Sequence, residues 1–335
     1  MIGPSRLLCL LLLCARAVSG QPFQLPTANK AIFEAGGQER YFVPTTGKTW
    51  ISGTFGCVRS DGWQMHEGLD IKCLQRDRAG EPIDPVMATA DGVVAYINDK
   101  PSLSNYGRYI VLLHQVNGME IYSLYAHLSE VQNGLRVGRA VRAGEKIAVM
   151  GRTSNTRERI SKERAHVHFE LNLFYSDHFN SWYKRHFPGE RNDHGLFNGE
   201  NLVGIDGRLI LLAEREEGAR FDLLKWIQHR TELCRVLVRQ TDFPWLHRYP
   251  MLVKQGVLGK GEKAAGYEMA LDYNGLPFEL IPRTAAQCKG SAKFQLISVN
   301  EAEYTKNPCR RLVTRQGNGW ELAKKGLSLL DLLTN

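Results

Sequence analysis

Residues 165–174 read AHVHFELNLF, and apolar and polar positions alternate along them: Val167, Phe169, Leu171 and Leu173 on one side, His166, His168, Glu170 and Asn172 on the other. Successive side chains of a strand point to opposite faces, so this period of two predicts a strand with one face for a core and one presenting two imidazoles together. Short β-leaning segments bounded by turn residues fill the first half of the chain. TWISGTFGCV and HEGLDIKC are two of them. DPVMATADGVVAYI carries an Asp91-Gly92 turn, RYIVLLHQVNGMEIYSLYAHL reads as a hairpin about Asn117-Gly118, and RVGRAVRAGEKIAVMG is cut by Gly138, Gly144 and Gly151. Asn-Gly between alternating segments is a strong hairpin signal. The pattern predicts a mainly β domain, compact, antiparallel and sandwich- or barrel-like, over residues 48–203, with a preceding segment 21–47 and an irregular aromatic extension over 174–203. Past VGIDG, at 203–207, helical spacing in RFDLLKWIQHR and LAKKGLSLLDLL flanks a hairpin about Asn274-Gly275. That mixture predicts a smaller α+β domain over 207–335.

Composition places the protein without changing that fold. A chain of 335 residues, 43% hydrophobic and 23% charged, is ordinary globular material. It opens MIGPSRLLCLLLLCARAVSG: a basic residue, an apolar run and small residues, the layout of a cleaved secretory signal over 1–20 rather than of a membrane span, which needs about 20 apolar residues. Cys14 does not turn it into a lipoprotein signal, because a small residue normally precedes the modified cysteine and here it is Leu13. Loss of Arg6 and Arg16 with the signal lowers the formal charge from +8 to +6. The expectation is a secreted or periplasmic protein with no transmembrane segment after cleavage, basic enough to attract anionic cell-wall polymers, and with no nucleic-acid partner. Five cysteines remain, none in a C-x-x-C pair, so disulfides are expected rather than a thiolate zinc knuckle. Cys57 with Cys73 would close a loop of about 17 residues, worth roughly 3 kcal/mol. GKGEKAAG at 259–266 neither follows a strand nor opens a helix, and reads as a solvated turn rather than a phosphate-binding loop.

The candidate chemistry lies in the β region. MHEGLDI spaces His66 and Asp70 four apart, and with Gly68 between them and Leu69 and Ile71 beside them a strand is expected, both side chains facing the same way. YSLYAHLS places His127 near a strand end. A lone histidine is usually a hydrogen-bonded surface or core residue; histidines on three separate β segments are a different matter. Zinc takes His nitrogen and carboxylate oxygen, with three protein ligands and an open position at catalytic sites. Two histidines and one carboxylate leave a site charge of about +1, which draws the pKa of a bound water toward about 7.

His66-Glu67-Gly68-Leu69-Asp70, Tyr125-Ala126-His127-Leu128 and His166-Val167-His168-Phe169-Glu170, in that order, together resemble the lysostaphin/LytM-type zinc metallopeptidases. PVMATADGVV, YGRYIVLLH and VRAGEKIAVMG resemble that family's strands and turns, so the likeness covers roughly 48–173. It implies a duplicated hybrid motif fold with the site in a groove, a Zn2+ ion held by His66, Asp70 and His168, and His127 and His166 as the catalytic pair that handles the attacking water and the oxyanion. It implies hydrolysis of peptide bonds in peptidoglycan, with peptidoglycan peptides as partners. Glu170, next along the histidine face, is expected either to orient a ligand imidazole or to be a plain surface carboxylate. The alternative is a non-catalytic module that uses the same fold to bind cell wall or a partner. Two departures from the family pattern stand out: a long basic stretch, GRTSNTRERISKERAH, before the HxH strand, and the region after 207, which matches no wall-binding repeat.

Overall fold

The computed structural model describes residues 23–156 and 159–335; the predicted signal sequence lies outside the described residues, as do Arg157 and Glu158 of the basic stretch. A short helix α1 (Gln38–Tyr41) precedes the strands β1 (Gly56–Arg59), β2 (Gln64–His66), β3 (Leu69–Lys72), β4 (Pro85–Met87), β5 (Gly92–Asn98), β6 (Arg108–Val116), β7 (Met119–Leu128), β8 (Glu130–Val131), β9 (Ala140–Val141), β10 (Lys146–Val149) and β11 (His166–Phe174). Helix α2 (Phe179–His186) and strand β12 (Leu202–Ile205) follow. The principal sheet is antiparallel, in the order β12-β11-β7-β6-β5-β9, with β3 also pairing with β11. β1 and β2 form a separate two-stranded sheet, and β4, β10 and β8 a three-stranded one.

The β6–β7 hairpin turns where Asn-Gly predicts it. Asn117 and Gly118 both take positive φ, 49° and 76°, the pair of values that matches the twist of the flanking strands. β11 alternates as expected, and Val167, Phe169, Leu171 and Leu173 are fully buried, each contributing about 1.5–3 kcal/mol of hydrophobic stabilisation. The expectation that its histidine face looks outward is corrected: all nine residues of β11 are buried. The polar face is covered too, partly by a second apolar cluster of Tyr109, Val111, Tyr122, Leu124, Ala126, Phe174 and Leu202.

MHEGLDI is not one strand. Glu67 and Gly68 break it, so that β2 pairs with β1 while β3 pairs with β11. A Cβ on Gly68 would lie 2.5 Å from the Phe169 carbonyl oxygen, and this close approach is what the glycine permits.

After β12 come α3 (Gly207–Glu217), α4 (Leu223–Gln228), β13 (Cys234–Val238), α5 (Pro244–Arg248), β14 (Gly266–Leu271), β15 (Pro277–Arg283), β16 (Phe294–Val299), α6 (Glu301–Lys306), β17 (Val313–Gln316), β18 (Gly319–Leu322) and α7 (Lys324–Thr334). The α+β expectation for this part holds, with a four-stranded sheet in the order β15-β14-β13-β16. α3 was not anticipated; Asp206 caps it, accepting from the backbone N–H groups of Arg208 and Leu209. Its buried residues Ile210 and Leu211 join the same apolar cluster as Leu171 of β11 and Val236 of β13. The aromatic extension packs on α7, where the Trp182 indole donates to the Ser328 carbonyl at 2.9 Å. No described helix is long and apolar enough to cross a membrane.

The cysteine pairing is corrected. Cys57 bonds Cys309 across 252 residues, and Cys73 is a buried free thiol. Cys73 lies just past β3, which is held in the principal sheet, whereas Cys57 belongs to the separate β1–β2 hairpin, and that hairpin lies against the C-terminal part of the chain.

Candidate metal centre

Strand register brings the candidate ligands together. In the β3–β11 ladder His168 stands directly opposite Asp70, and opposite residues of an antiparallel pair share a face. β2 delivers His66 from the other side of the Glu67-Gly68 break. His66 Nε2 lies 3.1 Å from Asp70 Oδ1 and 3.2 Å from His168 Nδ1, and His168 Nδ1 lies 3.0 Å from Asp70 Oδ1. Ligand atoms about 2.0–2.1 Å from a tetrahedral zinc stand roughly 3.3 Å apart, so the donor set and its spacing fit that ion. Each ring is fixed from behind. His66 Nδ1 donates to the Thr54 carbonyl at 2.7 Å, and His168 Nε2 donates to Glu170 Oε1 at 2.8 Å.

Among the described residues this is the group of His, Cys, Asp and Glu side chains whose donor atoms converge in a way that suits a metal.

The other two histidines border the same space. His166 Nδ1 donates to the Arg164 carbonyl at 2.6 Å, leaving Nε2 3.4 Å from Asp70 Oδ1. His127 Nδ1 donates to the Thr153 carbonyl at 2.9 Å, which leaves its Nε2 free of the proton when the ring is neutral. The His127 ring is 4.9 Å from that of His166 and 5.9 Å from that of His168. Its position depends on a bulge: the β6–β7 register shifts between Arg108 and Ile110, and His127 takes φ +63°. Bulges re-aim side chains near functional sites in this way.

Burial and neighbouring charge set the protonation states. Burial lowers the His127 pKa, and the charges of His166 and His168 lower it further, well below the usual histidine value. Burial also dominates at His66 and lowers its pKa, against the pull of Asp70. For Asp70, burial favours the neutral acid, but His66, His166 and His168 outweigh it and hold the carboxyl well below the usual range. Burial opposes charge on His168, yet hydrogen bonds to Asp70 and Glu170 prevail and push it up to about 10.

Two contributors, Tyr106 and Arg59, have no signal in the sequence. Tyr106 donates its hydroxyl to Glu170 Oε1 at 2.8 Å while its carbonyl accepts from the His127 backbone N–H at 2.9 Å, so one residue supports both the HxH strand and the bulge. Asn172 completes the set around Glu170, donating to Oε2 at 2.9 Å. Arg59 reaches the second oxygen of Asp70 with one guanidinium nitrogen and the Ser52 carbonyl with another.

The site opens on a groove of about 460 Å3, walled by Thr45, Arg59, Tyr106, Ser154, Ile160 and Arg164 among others. The basic stretch therefore contributes to the rim. Arg152 and Lys162, however, are paired with Glu81. A larger cavity of about 670 Å3 lies elsewhere, beside Glu120, Asp177, His247 and Arg248. Its polar side chains are already paired, Arg248 with Glu120 and Asp177, His247 with Asp242.

A buried His-Asp-His set at the foot of a groove, framed by antiparallel strands, defines the class: a β-framework protein with a candidate metal centre. The model for Peptidase family M23 matches residues 64–180. The chain is 34% identical over 95 residues to the protein named Lipoprotein NlpD of Yersinia enterocolitica, covering 28% of this chain and 84% of that one. It is also 34% identical over 128 residues to the Murein hydrolase activator NlpD of Escherichia coli strain K12, covering 38% of this chain but 27% of that one, so it spans about a quarter of that relative's length. The chain belongs to peptidase family M23, the lysostaphin/LytM-type peptidases. Among solved structures, the catalytic domain of lysostaphin from Staphylococcus simulans aligns at 19% identity and TM-score 0.29 over 51% of this chain and 88% of that one. A zinc-containing peptidase from Vibrio cholerae aligns at 24% identity and TM-score 0.27 over 39% and 35%.

Proposed function

We propose that the protein is a zinc metalloendopeptidase that hydrolyses peptide bonds of peptidoglycan outside the cytoplasm. The observation that carries this reading is the mutual spacing of His66 Nε2, Asp70 Oδ1 and His168 Nδ1, 3.0–3.2 Å, with His127 and His166 bordering the same space. Zinc held by these three residues would polarise a substrate carbonyl and acidify a water. The chain's own residues do the rest. His127 is neutral at pH 7 and its Nε2 accepts the proton of the attacking water, then returns it to the leaving amine. His166, facing the same space, stands beside the oxygen that gains charge and donates to it when both ring nitrogens carry a proton. Glu170 and Tyr106 keep the His168 ring in register, and Arg59 holds the Asp70 carboxylate with one oxygen turned to the ligand cluster. The rim around Arg164 suits a wall polymer that carries carboxylates. We place the division of the chain at 203–207, with 48–203 as the peptidase unit and 207–335 as an α+β unit that shares its apolar core.

A second reading is favoured by the relatives named as murein hydrolase activators: a non-catalytic module that stimulates another hydrolase. The experiment that separates them treats purified peptidoglycan with the protein alone and identifies released fragments by mass spectrometry. New peptide termini with the protein alone, absent after zinc chelation, are expected. Release only when a second hydrolase is added would favour the activator.

A further inference from the structure

The metal centre has support from beyond the stretch that resembles other M23 proteins. His66 comes from the β1–β2 hairpin, a sheet of only two strands, and an isolated two-stranded hairpin is marginally stable at best. A ligand position has to be held to within about 0.5 Å. Contacts from the C-terminal part converge on this hairpin and the turn after it. Cys309 is bonded to Cys57, whose register partner is Met65, the residue before His66. Arg310 places one guanidinium nitrogen 3.2 Å from Glu67 Oε1, between His66 and Gly68, and another 2.8 Å from Asn274 Oδ1. Asn274 in turn donates to the Gly204 carbonyl at 2.8 Å. The Arg311 guanidinium lies 5.0 Å from the centre of the Trp63 ring. Gly56, opposite His66 in the ladder, has φ +117° and leaves room where a Cβ would sit 3.2 Å from the Tyr273 hydroxyl. β1 also carries Arg59, which grips Asp70. Two of the three candidate ligands thus depend on a hairpin fastened from the far end of the chain.

We propose that Cys309 and Arg310 are positioning residues of the metal centre, bracing the β1–β2 hairpin so that His66 and Asp70 stay at ligand distance from His168. The C-terminal part is then a component of the site rather than an appendage to it. The proposal rests on the reading of His66, Asp70 and His168 as a zinc site, and the test keeps the two apart. Zinc affinity is measured on the full chain by competition with a chromophoric chelator, and thermal unfolding is followed in parallel, for wild type, Arg310→Gln, Arg310→Lys, the Cys57→Ser/Cys309→Ser pair and His66→Ala. Arg310→Gln and the serine pair are expected to raise the zinc dissociation constant about 10–100-fold, the usual effect of losing an outer support of a metal ligand. Arg310→Lys, which still reaches Glu67 but cannot fork to Asn274, should recover part of the loss. His66→Ala should abolish tight binding. Wild-type zinc affinity in every brace variant, with His66→Ala deficient, overturns the brace while leaving the site reading intact, even if the melting temperatures fall. Tight zinc binding by His66→Ala overturns the site reading and the brace with it. Arg310→Lys keeps the charge and folds under the mildest perturbation, so the comparison survives a serine pair that fails to fold.

Discussion

Replacing Glu170 by glutamine separates two effects that the structure sets against each other. The carboxylate is 2% exposed and accepts from His168 Nε2 at 2.8 Å, the Tyr106 hydroxyl at 2.8 Å and Asn172 Nδ2 at 2.9 Å. Glutamine keeps the volume but gives up the charge, and its amide nitrogen meets the Asn172 donor. Loss of a carboxylate behind a ligand imidazole weakens metal binding about 10–100-fold, or roughly 1.4–2.8 kcal/mol. The opposing effect is protonic. With the His168 pKa at about 10, a proton competes with the metal for that ring by about three decades at pH 7. The proton that zinc displaces sits on Nδ1, against Asp70; glutamine removes the negative charge beside Nε2 that favours the doubly protonated ring, so the competition shrinks. Near pH 7 the two effects partly cancel; near pH 10 only the first survives. Chelator-buffered zinc titrations from pH 6 to pH 10 resolve them. Wild-type affinity should rise about tenfold per pH unit up to about pH 10, since His168 is the ligand whose proton must leave. The variant should level off at lower pH and lie about 10–100-fold below wild type at the alkaline end. A variant curve parallel to wild type across the range would refute the claim that the Glu170 charge favours the doubly protonated His168 ring, and a coincident curve would refute its orienting role as well.

His127→Ala should retain zinc yet lose about 10²–10⁴-fold in turnover, the range for a general acid-base group; metal content by atomic absorption and fragment release by chromatography check this, and loss of metal would count against it. Gly68→Ala should destabilise the fold by about 1–3 kcal/mol through overpacking, because the added carbon would meet the Phe169 carbonyl at 2.5 Å and Glu170 Cγ at 2.9 Å; urea denaturation measures it, and an unchanged midpoint would contradict the close packing. Zinc at about a hundred times its dissociation constant should stabilise the folded chain by about 2.7 kcal/mol, read as a rise in melting temperature that His168→Ala abolishes. Peptide mapping without reduction should find Cys57 joined to Cys309, and Cys73→Ser should leave that link unaltered.

What the sequence reveals of this site, and what it conceals, follows from the range of the forces involved. The alternation in AHVHFELNLF and the Asn117-Gly118 turn are local signals, and the strand and hairpin form where they predict. The four-residue spacing of His66 and Asp70 is local too, but the reason they meet is not. Gly68 lets the chain break between two sheets, and the partner that brings Asp70 to His168 is a ladder across 98 residues. Arg59 and Tyr106 carry no local signature at all, since an arginine or tyrosine in a β-rich segment has many uses. Cysteine spacing misled for the same reason. Proximity in sequence favours Cys73, but the side chain facing Cys57 belongs to a loop near the other end of the chain.

The Cys57–Cys309 link also sets an order of events. A polypeptide is made from its N-terminus, at about 5–20 residues per second. The 252 residues that separate the two cysteines therefore represent roughly 13–50 s of synthesis at that rate. Throughout that interval the strand that carries His66 has been made and the thiol that fastens it has not. The covalent closure of the hairpin therefore comes only after every residue of the His-Asp-His cluster has been made.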